Sequence, residues 1–340
     1  MSEESKSEAE INEEARKARK NFEEKLKQVA PGPLDGRNEL RPVFIDAFTI
    51  EDAWRQCLAK VLKEGYVYRI EKGSYEGNYR LEFDDIHIRI RHPENRPLAP
   101  IMPEGFNAPP TSDEKIAKYA EHYLLGSEKT GNEEYTYGER MVNPKARLDE
   151  ILDVEEINKI GIDLNKLTDD KIKILYPNVL EVKREMGKIL VNNAIFKREI
   201  PFVILKKEIP YGVNSVEEVI KNYKTKGFGS NQEILQVGAP ADIILSDPPC
   251  LRHIDTRVRY TGKFGKPQLH FFVYFRSWDL WGGFPENLGG IQLTKEYMAD
   301  SIGIEPGETL AWSKGLHIYQ YVGELVEALA REELKITNKK

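Results

Sequence analysis

The sequence predicts an α/β fold, on the strength of three stretches: IEDAWRQCLAKVLKEG (50–65), the pair HIDTRVRY and QLHFFVYFRSW (253–260 and 268–278), and NLGGIQLTKEYMADSIGI (287–304). In the first, Trp54, Cys57, Leu58, Val61 and Leu62 recur at three- and four-residue spacing. That is the apolar stripe of an amphipathic helix, with Cys57 as a small core residue. In the second, Ile254, Thr256 and Val258 alternate with Asp255, Arg257 and Arg259, and Leu269, Phe271, Val273 and Phe275 alternate with His270, Phe272, Tyr274 and Arg276. A period of two on both sides of TGKFGKP marks a hairpin, and its second strand, apolar on most of both faces, belongs in the middle of a sheet. The third stretch reads as a helix.

The remaining elements follow in order. Residues 1–37 alternate Glu and Lys up to PGPLDG and predict a charged extension and linker ahead of one folded domain at 38–335. Leu81, Phe83, Ile86, Ile88 and Ile90 predict a half-buried strand interrupted near Asp84 and Asp85. The six prolines of residues 93–112 predict a loop, and a helix follows at 114–125. About 145–212 carries mixed signals that fit an insertion. A helix at 214–223, strand-like EILQV and DIIL, a turn at EPGET, a strand at TLAWSKGLHIY and a terminal helix at QYVGELVEALAREEL complete the chain.

Composition limits the function. With 340 residues and 40% hydrophobic content the chain can bury a sizeable core. A formal net charge of −6 argues against a general nucleic-acid or membrane-surface binder, yet permits a local basic pocket. No apolar run reaches the roughly 20 residues of a membrane span, and MSEESKSEAEINEE lacks the features of a signal peptide, which predicts a cytoplasmic protein. The six histidines are scattered, and CxxC, HExxH, P-loop and GxGxxG patterns are absent, so no metal is expected.

Chemistry enters at SDPPCL. Two prolines with fixed φ and no N–H lead into Cys250 along a stiff track, which holds the thiol in place. Downstream, FRSWD sets Arg276 and Ser277 at the end of a buried strand, where guanidinium and hydroxyl donors together suit a phosphate. Asp279, Asn287, His317 and Tyr319 follow. Each has a plain structural alternative: Arg276 paired with Asp279, Asn287 capping a helix, His317 and Tyr319 sharing one face of a strand.

Taken in order, DPPC, RSWD, the glycine-rich GGFPEN and GLHIY resemble the signature blocks of the thymidylate synthase family, and the DAW helix and YTYGER resemble weaker landmarks. The resemblance implies a mixed sheet with flanking helices, and a homodimer made by packing sheets back to back. It implies that Cys250 adds to C6 of a pyrimidine nucleotide so that C5 attacks a one-carbon unit carried by 5,10-methylenetetrahydrofolate, or by methylene-tetrahydromethanopterin. A temporary bond at C6 divides one difficult step into easier ones, and Arg276 is the expected source of charge favouring the thiolate. Carried over by position, Arg276 and Ser277 hold the phosphate, Asp279 orders the site, Asn287 contacts the base, and His317 and Tyr319 bind the sugar hydroxyl. Tyr137 assists proton transfer at C5, Lys72 stands where a loop arginine closes on the phosphate, and the proton-relaying carboxylate is Glu121, with Glu139 second.

The chain departs from the family pattern in places. Leu251 and Phe275 replace a common histidine and glutamine beside the nucleophile and the arginine. Asn231 and Gln232 fall where the partner-subunit arginines belong, leaving Arg252 or Lys226 to compensate, and no closing segment follows the helix after GLHIY. The expected reaction is reductive methylation of dUMP to dTMP. A dCMP or CMP hydroxymethylase is the alternative, and a non-catalytic nucleotide- or RNA-binding relative a third. In the family, asparagine at position 287 accompanies uracil and aspartate accompanies cytosine.

Overall fold

The computed structural model describes residues 39–142 and 213–329, apart from 73–74, 105, 107, 128, 130–134, 240–241, 244 and 246. Elsewhere only 17, 20–21, 24, 32–33 and pieces of 151–205 are described, so most of the predicted 1–37 extension and the terminal helix beyond Leu329 lie outside. The chain divides into two units, one of residues 1–143 with 213–340 and one of 144–212.

In chain order the first unit opens with β1 (Gly32–Pro33), β2 (Pro42–Ala47), α1 (Ile50–Glu64), β3 (Tyr66–Arg69), β4 (Tyr79–Glu82) and β5 (Asp85–Ile90). Then come α2 (Asp113–Lys118), continued by a π-helical stretch Tyr119–Leu124, and α3 (Tyr137–Met141). The second unit holds β6 (Ile151–Leu152), β7 (Val179–Glu185), β8 (Lys188–Asn193), β9 (Arg198–Pro201) and β10 (Ile204–Leu205), paired as β10-β6 and β7-β8-β9. The first unit resumes with α4 (Ser215–Lys226), β11 (Ile234–Gln236), β12 (Leu251–Arg259), β13 (Gln268–Phe275), β14 (Trp278–Asp279), α5 (Gly283–Ile302), β15 (Glu305–Ser313) and β16 (Leu316–Tyr319). Its two halves meet where Ser215 Oγ donates to Met141 O at 2.7 Å.

Two sheets organise this unit. The larger has the order β11-β12-β13-β15-β5-β2 and is mixed: β13 runs parallel to β15 and β2 to β5, while its other pairs are antiparallel. The smaller runs β1-β3-β4-β16-β14. The predicted hairpin forms as read, with Val258 opposite Leu269 and Ile254 opposite Val273, and β13 is central.

Local chemistry explains the helices. Thr49 caps α1 by accepting from Asp52 N at 3.1 Å, and α1 buries the stripe read from the sequence, Trp54, Cys57, Leu58 and Val61. Each such large apolar side chain stabilises the fold by about 1.5–3 kcal/mol. Trp54 also donates from Nε1 to Leu280 O at 2.9 Å, which keys α1 to the segment following β14. At the start of α5, Asp279 accepts from the backbone N–H of Trp281, Gly282 and Gly283 at 2.9–3.2 Å, satisfying donors that a helix leaves open. That helix stops at Gly303, whose φ of 88° is a left-handed C-cap that favours glycine.

Three sequence expectations change. The strand interrupted at Asp84 is two strands in two sheets, β4 and β5, and TLAWSKGLHIY likewise divides into β15 and β16. Both divisions occur together, because Phe83 N donates to Leu316 O at 3.0 Å where the chain changes sheets. EPGET is the start of β15 and the turn lies earlier, at Gly303. In DIIL, Asp242 and Ile243 form a 3₁₀ turn, because the Asp242 carboxylate accepts from Ala239 N at 2.6 Å and folds the segment back on itself.

One face of the larger sheet is covered by α1 and α5. The opposite face exposes aromatic rings: Phe44 is 70% and Trp312 42% accessible, each stacked on His87 at 5.3 and 5.5 Å. With Phe272 and Tyr274 they line a depression of ≈ 560 Å³. No helix among the described residues is long and apolar enough to cross a membrane.

Candidate active site

Cys250 ends the turn that precedes β12, and Arg276 at the end of β13 fixes that turn. Strand pairing sets Leu251 opposite Phe275, and Arg276 N donates to Cys250 O at 2.8 Å. The guanidinium closes the loop from its other side. Its Nε donates to Pro248 O and Pro249 O at 3.2 Å each, and Nη2 donates to Asp247 Oδ1 at 3.1 Å and to Pro248 O. A Pro-Pro track offers carbonyl acceptors and no donors, so one arginine serves as its staple.

Arg252, two residues past the thiol, donates to Pro249 O at 3.3 Å and pairs with Asp242 at 3.2 Å. Asp242 also holds Arg140 of α3 at 2.8 Å. Burial opposes ionisation of this carboxylate, but Ala239 N–H, Arg140 and Arg252 together keep its pKa below the ordinary value. Arg252 and Arg276 line one cavity of ≈ 340 Å³ with Gln236, Gly238 and Pro248.

The thiol itself is not activated in this state. Burial pushes Cys250 above the ordinary thiol range, while Arg276 and Arg252 pull it down and Asp247 pushes it back up. The expected gain from nearby positive charge is therefore outweighed by desolvation. Because the thiolate is the reactive form, alkylation of Cys250 by iodoacetamide should be slow at pH 7 and still rising with pH above pH 8.5. A rate that levels off below pH 8 would contradict this setting.

Tyr137, on α3, is buried against the same loop and accepts Leu251 N–H on its hydroxyl at 3.2 Å. Burial raises its pKa far above the ordinary phenol. It belongs to an aromatic column, edge-on to Tyr123 at 4.9 Å and stacked on Tyr135 at 6.0 Å. On α5, Asn287 accepts Trp278 Nε1–H on Oδ1 at 3.0 Å. Asp279 is raised by burial, against the pull of its three backbone donors.

His317 on β16 is buried, and its Nδ1 donates to Gly315 O at 2.8 Å. Burial lowers its pKa to about 4, so the ring is neutral and Nε2 is a bare acceptor, buried without a partner. Tyr319 packs edge-on to it at 4.7 Å, is stacked on Tyr321 and meets Tyr75 in a tilted contact. Strand register sets Glu82 opposite His317 and Arg80 opposite Tyr319, two charged neighbours that periodicity alone did not single out. Among the described residues, no group of three or more His, Cys, Asp or Glu is arranged to hold a metal ion.

A family model described as thymidylate synthase matches residues 164–339, just over half of the chain, a span that includes Cys250, Arg276, Asn287 and His317. The chain belongs to the thymidylate synthase family. It is 25% identical over 288 residues to a Methanosarcina barkeri protein named "Putative thymidylate synthase", covering 85% of this chain and 94% of that one. Shorter similarities reach the thymidylate synthases of Novosphingobium aromaticivorans, 34% identical over 36% of this chain and 37% of the relative, and Saccharomyces cerevisiae, 28% over 35% and 41%.

Glu121 faces solvent beside His122, with its side chain 76% accessible, so it does not supply a buried carboxylate. Glu139 is the buried one, on α3 two residues from Tyr137, at 3.2 Å from Lys129. Lys72 is exposed after β3, and Lys226 is exposed at the end of α4. Ser277 is half-buried between β13 and β14. Asn231 accepts from Arg257, so its carboxamide is engaged within the chain.

Proposed function

We propose that the protein methylates dUMP to dTMP reductively, with Cys250 as the nucleophile. The observation that carries this reading is the stapled DPPC loop, which presents one half-buried thiol beside Tyr137 and an arginine-lined cavity. The Sγ–C6 bond forms as the C5=C6 π pair shifts to C5, which makes C5 the attacking carbon. The nucleotide phosphate docks at the Arg276 edge of the ≈ 340 Å³ cavity, beside the loop that the same guanidinium holds. Arg252 supplies a second donor set to that phosphate from within the same subunit, where Asn231 and Gln232 carry no charge.

Tyr137 is too weak an acid to act as a phenolate. It orients a water that removes the C5 proton, with Glu139 as the buried carboxylate that receives it. The bare Nε2 of His317 accepts a sugar hydroxyl, and Tyr319 packs against the same ring. A methylene carrier supplies a one-carbon unit at the formaldehyde level and the hydride. The ring faces of Tyr75 and Tyr321, 41% and 40% accessible and stacked on each other beside Tyr319, would hold its pterin. Methylenetetrahydrofolate and methylene-tetrahydromethanopterin share that ring system.

The test is to incubate the protein with either carrier and each of dUMP, UMP, dCMP and CMP, and to identify products by mass. The gain of one methyl group on dUMP is expected. Gain of hydroxymethyl on a cytosine nucleotide would replace this reading, and binding without turnover would make the protein a non-catalytic relative.

The aromatic face of the larger sheet supports a homodimer, in which a second copy covers Phe44, His87 and Trp312 in a cytoplasmic enzyme. Light scattering that returns a monomer at micromolar concentration would remove this part.

A further inference from the structure

Two polar groups near the start of α5 have their hydrogen-bonding roles set by their surroundings. An indole nitrogen only donates, so the Trp278 contact at 3.0 Å fixes the Asn287 carboxamide with its oxygen toward Trp278 and its NH₂ facing away. The second group is the Tyr119 hydroxyl, whose oxygen is buried and has no hydrogen-bond partner. Its ring is held tightly: a Cβ added at Gly290 of α5 would lie 2.5 Å from ring atom Cδ1, and the ring stacks on Tyr123 at 5.4 Å. Tyr123 in turn meets Tyr137, next to the Cys250 loop. The chain thus gives α5 a glycine to admit this ring, yet leaves the hydroxyl unsatisfied. Phenylalanine would fill the same volume without that penalty.

Two polar groups act on the hydroxyl from α5, the Asn287 carboxamide and the Glu286 carboxylate. Glu286 already accepts from Thr111 Oγ1 at 2.8 Å. What remains toward a ligand is the Asn287 NH₂ and the Tyr119 O–H. If the amide donates to the phenol oxygen, the phenol hydrogen points onward, and the pair still offers only donors.

We propose that Tyr119 is a specificity-determining residue, pairing with the Asn287 NH₂ to take the 4-oxo oxygen of a uracil nucleotide and to refuse an amino group there. This deepens the pyrimidine-nucleotide reading above and rests on it. An exocyclic amine would set donor against donor and leave buried groups unpaired, the arrangement that gives enzymes their strongest discrimination.

The test is calorimetric binding of dUMP, 4-thio-dUMP and dCMP to the full chain and to Tyr119→Phe. The thio analogue keeps N3–H and weakens only the acceptor at C4. Wild type should prefer dUMP over both, and the variant should lose about 10- to 100-fold in dUMP affinity while dCMP changes by less than about threefold. The preference over 4-thio-dUMP should shrink with it, which a purely structural role would not produce. Unchanged discrimination in Tyr119→Phe overturns the proposal, and so does equal wild-type affinity for dUMP and 4-thio-dUMP, a comparison that stands even where the variant fails to fold. Failure of every pyrimidine nucleotide to bind wild type overturns the underlying nucleotide reading and this proposal with it.

Discussion

Cys250→Ser should abolish turnover, by roughly 10⁴-fold or more, while leaving the fold and nucleotide binding intact. A hydroxyl in place of the thiol is a much weaker nucleophile at neutral pH, and the Tyr137 hydroxyl, which accepts Leu251 N–H, is no base for it. The decisive measurement is intact-protein mass after incubation with 5-fluoro-dUMP and the methylene carrier. Fluorine at C5 cannot depart as a proton does, so the wild-type chain should retain a covalent adduct and the serine variant none. Cys57 serves as the internal control. It is fully buried in α1 with its pKa pushed far up by burial, so an adduct that persisted in Cys250→Ser and mapped to Cys57 would end the mechanism.

Asn287→Asp should invert the preference for base. The Trp278 indole can still donate to a carboxylate at 287, so the side chain keeps its position, but the NH₂ that faces away from Trp278 is lost. A carboxylate there accepts from an exocyclic amine and repels a carbonyl oxygen. Turnover of dUMP should fall by about 10²- to 10³-fold, and the ratio of dCMP to dUMP turnover should rise by more than that. Steady-state rates with both nucleotides at equal concentration give the answer. An unchanged ratio would mean that the base is read from elsewhere.

How much of this was legible in the sequence depends on the range of the interactions involved. The α1 stripe and the β12–β13 hairpin are local patterns, and periodicity finds them. The DPPC turn is local too, since two prolines announce a rigid lead-in whatever lies around them. The exchange of sheets at Phe83 and at Leu316 was not legible, because each depends on a backbone contact between residues more than two hundred positions apart. Glu121 fails for a different reason. It was carried over by position from the family pattern, which says nothing about burial, and its side chain is 76% accessible within the π-helical stretch Tyr119–Leu124. Tyr119 was missed because an aromatic residue on a helix reads as core, and only the orphaned hydroxyl sets it apart. Asp242, hidden in what read as a strand, shows the same limit: its carboxylate serves Arg140 and Arg252, partners in two other elements.

The hydrogen bond between Ser215 and Met141 bears on how this chain tolerates growth. It ties the point where the 144–212 segment leaves the first unit to the point where it returns, at 2.7 Å. For a segment whose ends are already joined, added length enters stability only as a closure entropy, with each doubling costing about 0.6 kcal/mol. Lengthening or trimming at this junction leaves the path from α3 to α4 unchanged, and with it the Arg140–Asp242–Arg252 bridge to the Cys250 loop. Evolution can therefore remodel the segment as a separate module while the chemistry stays under its own constraints.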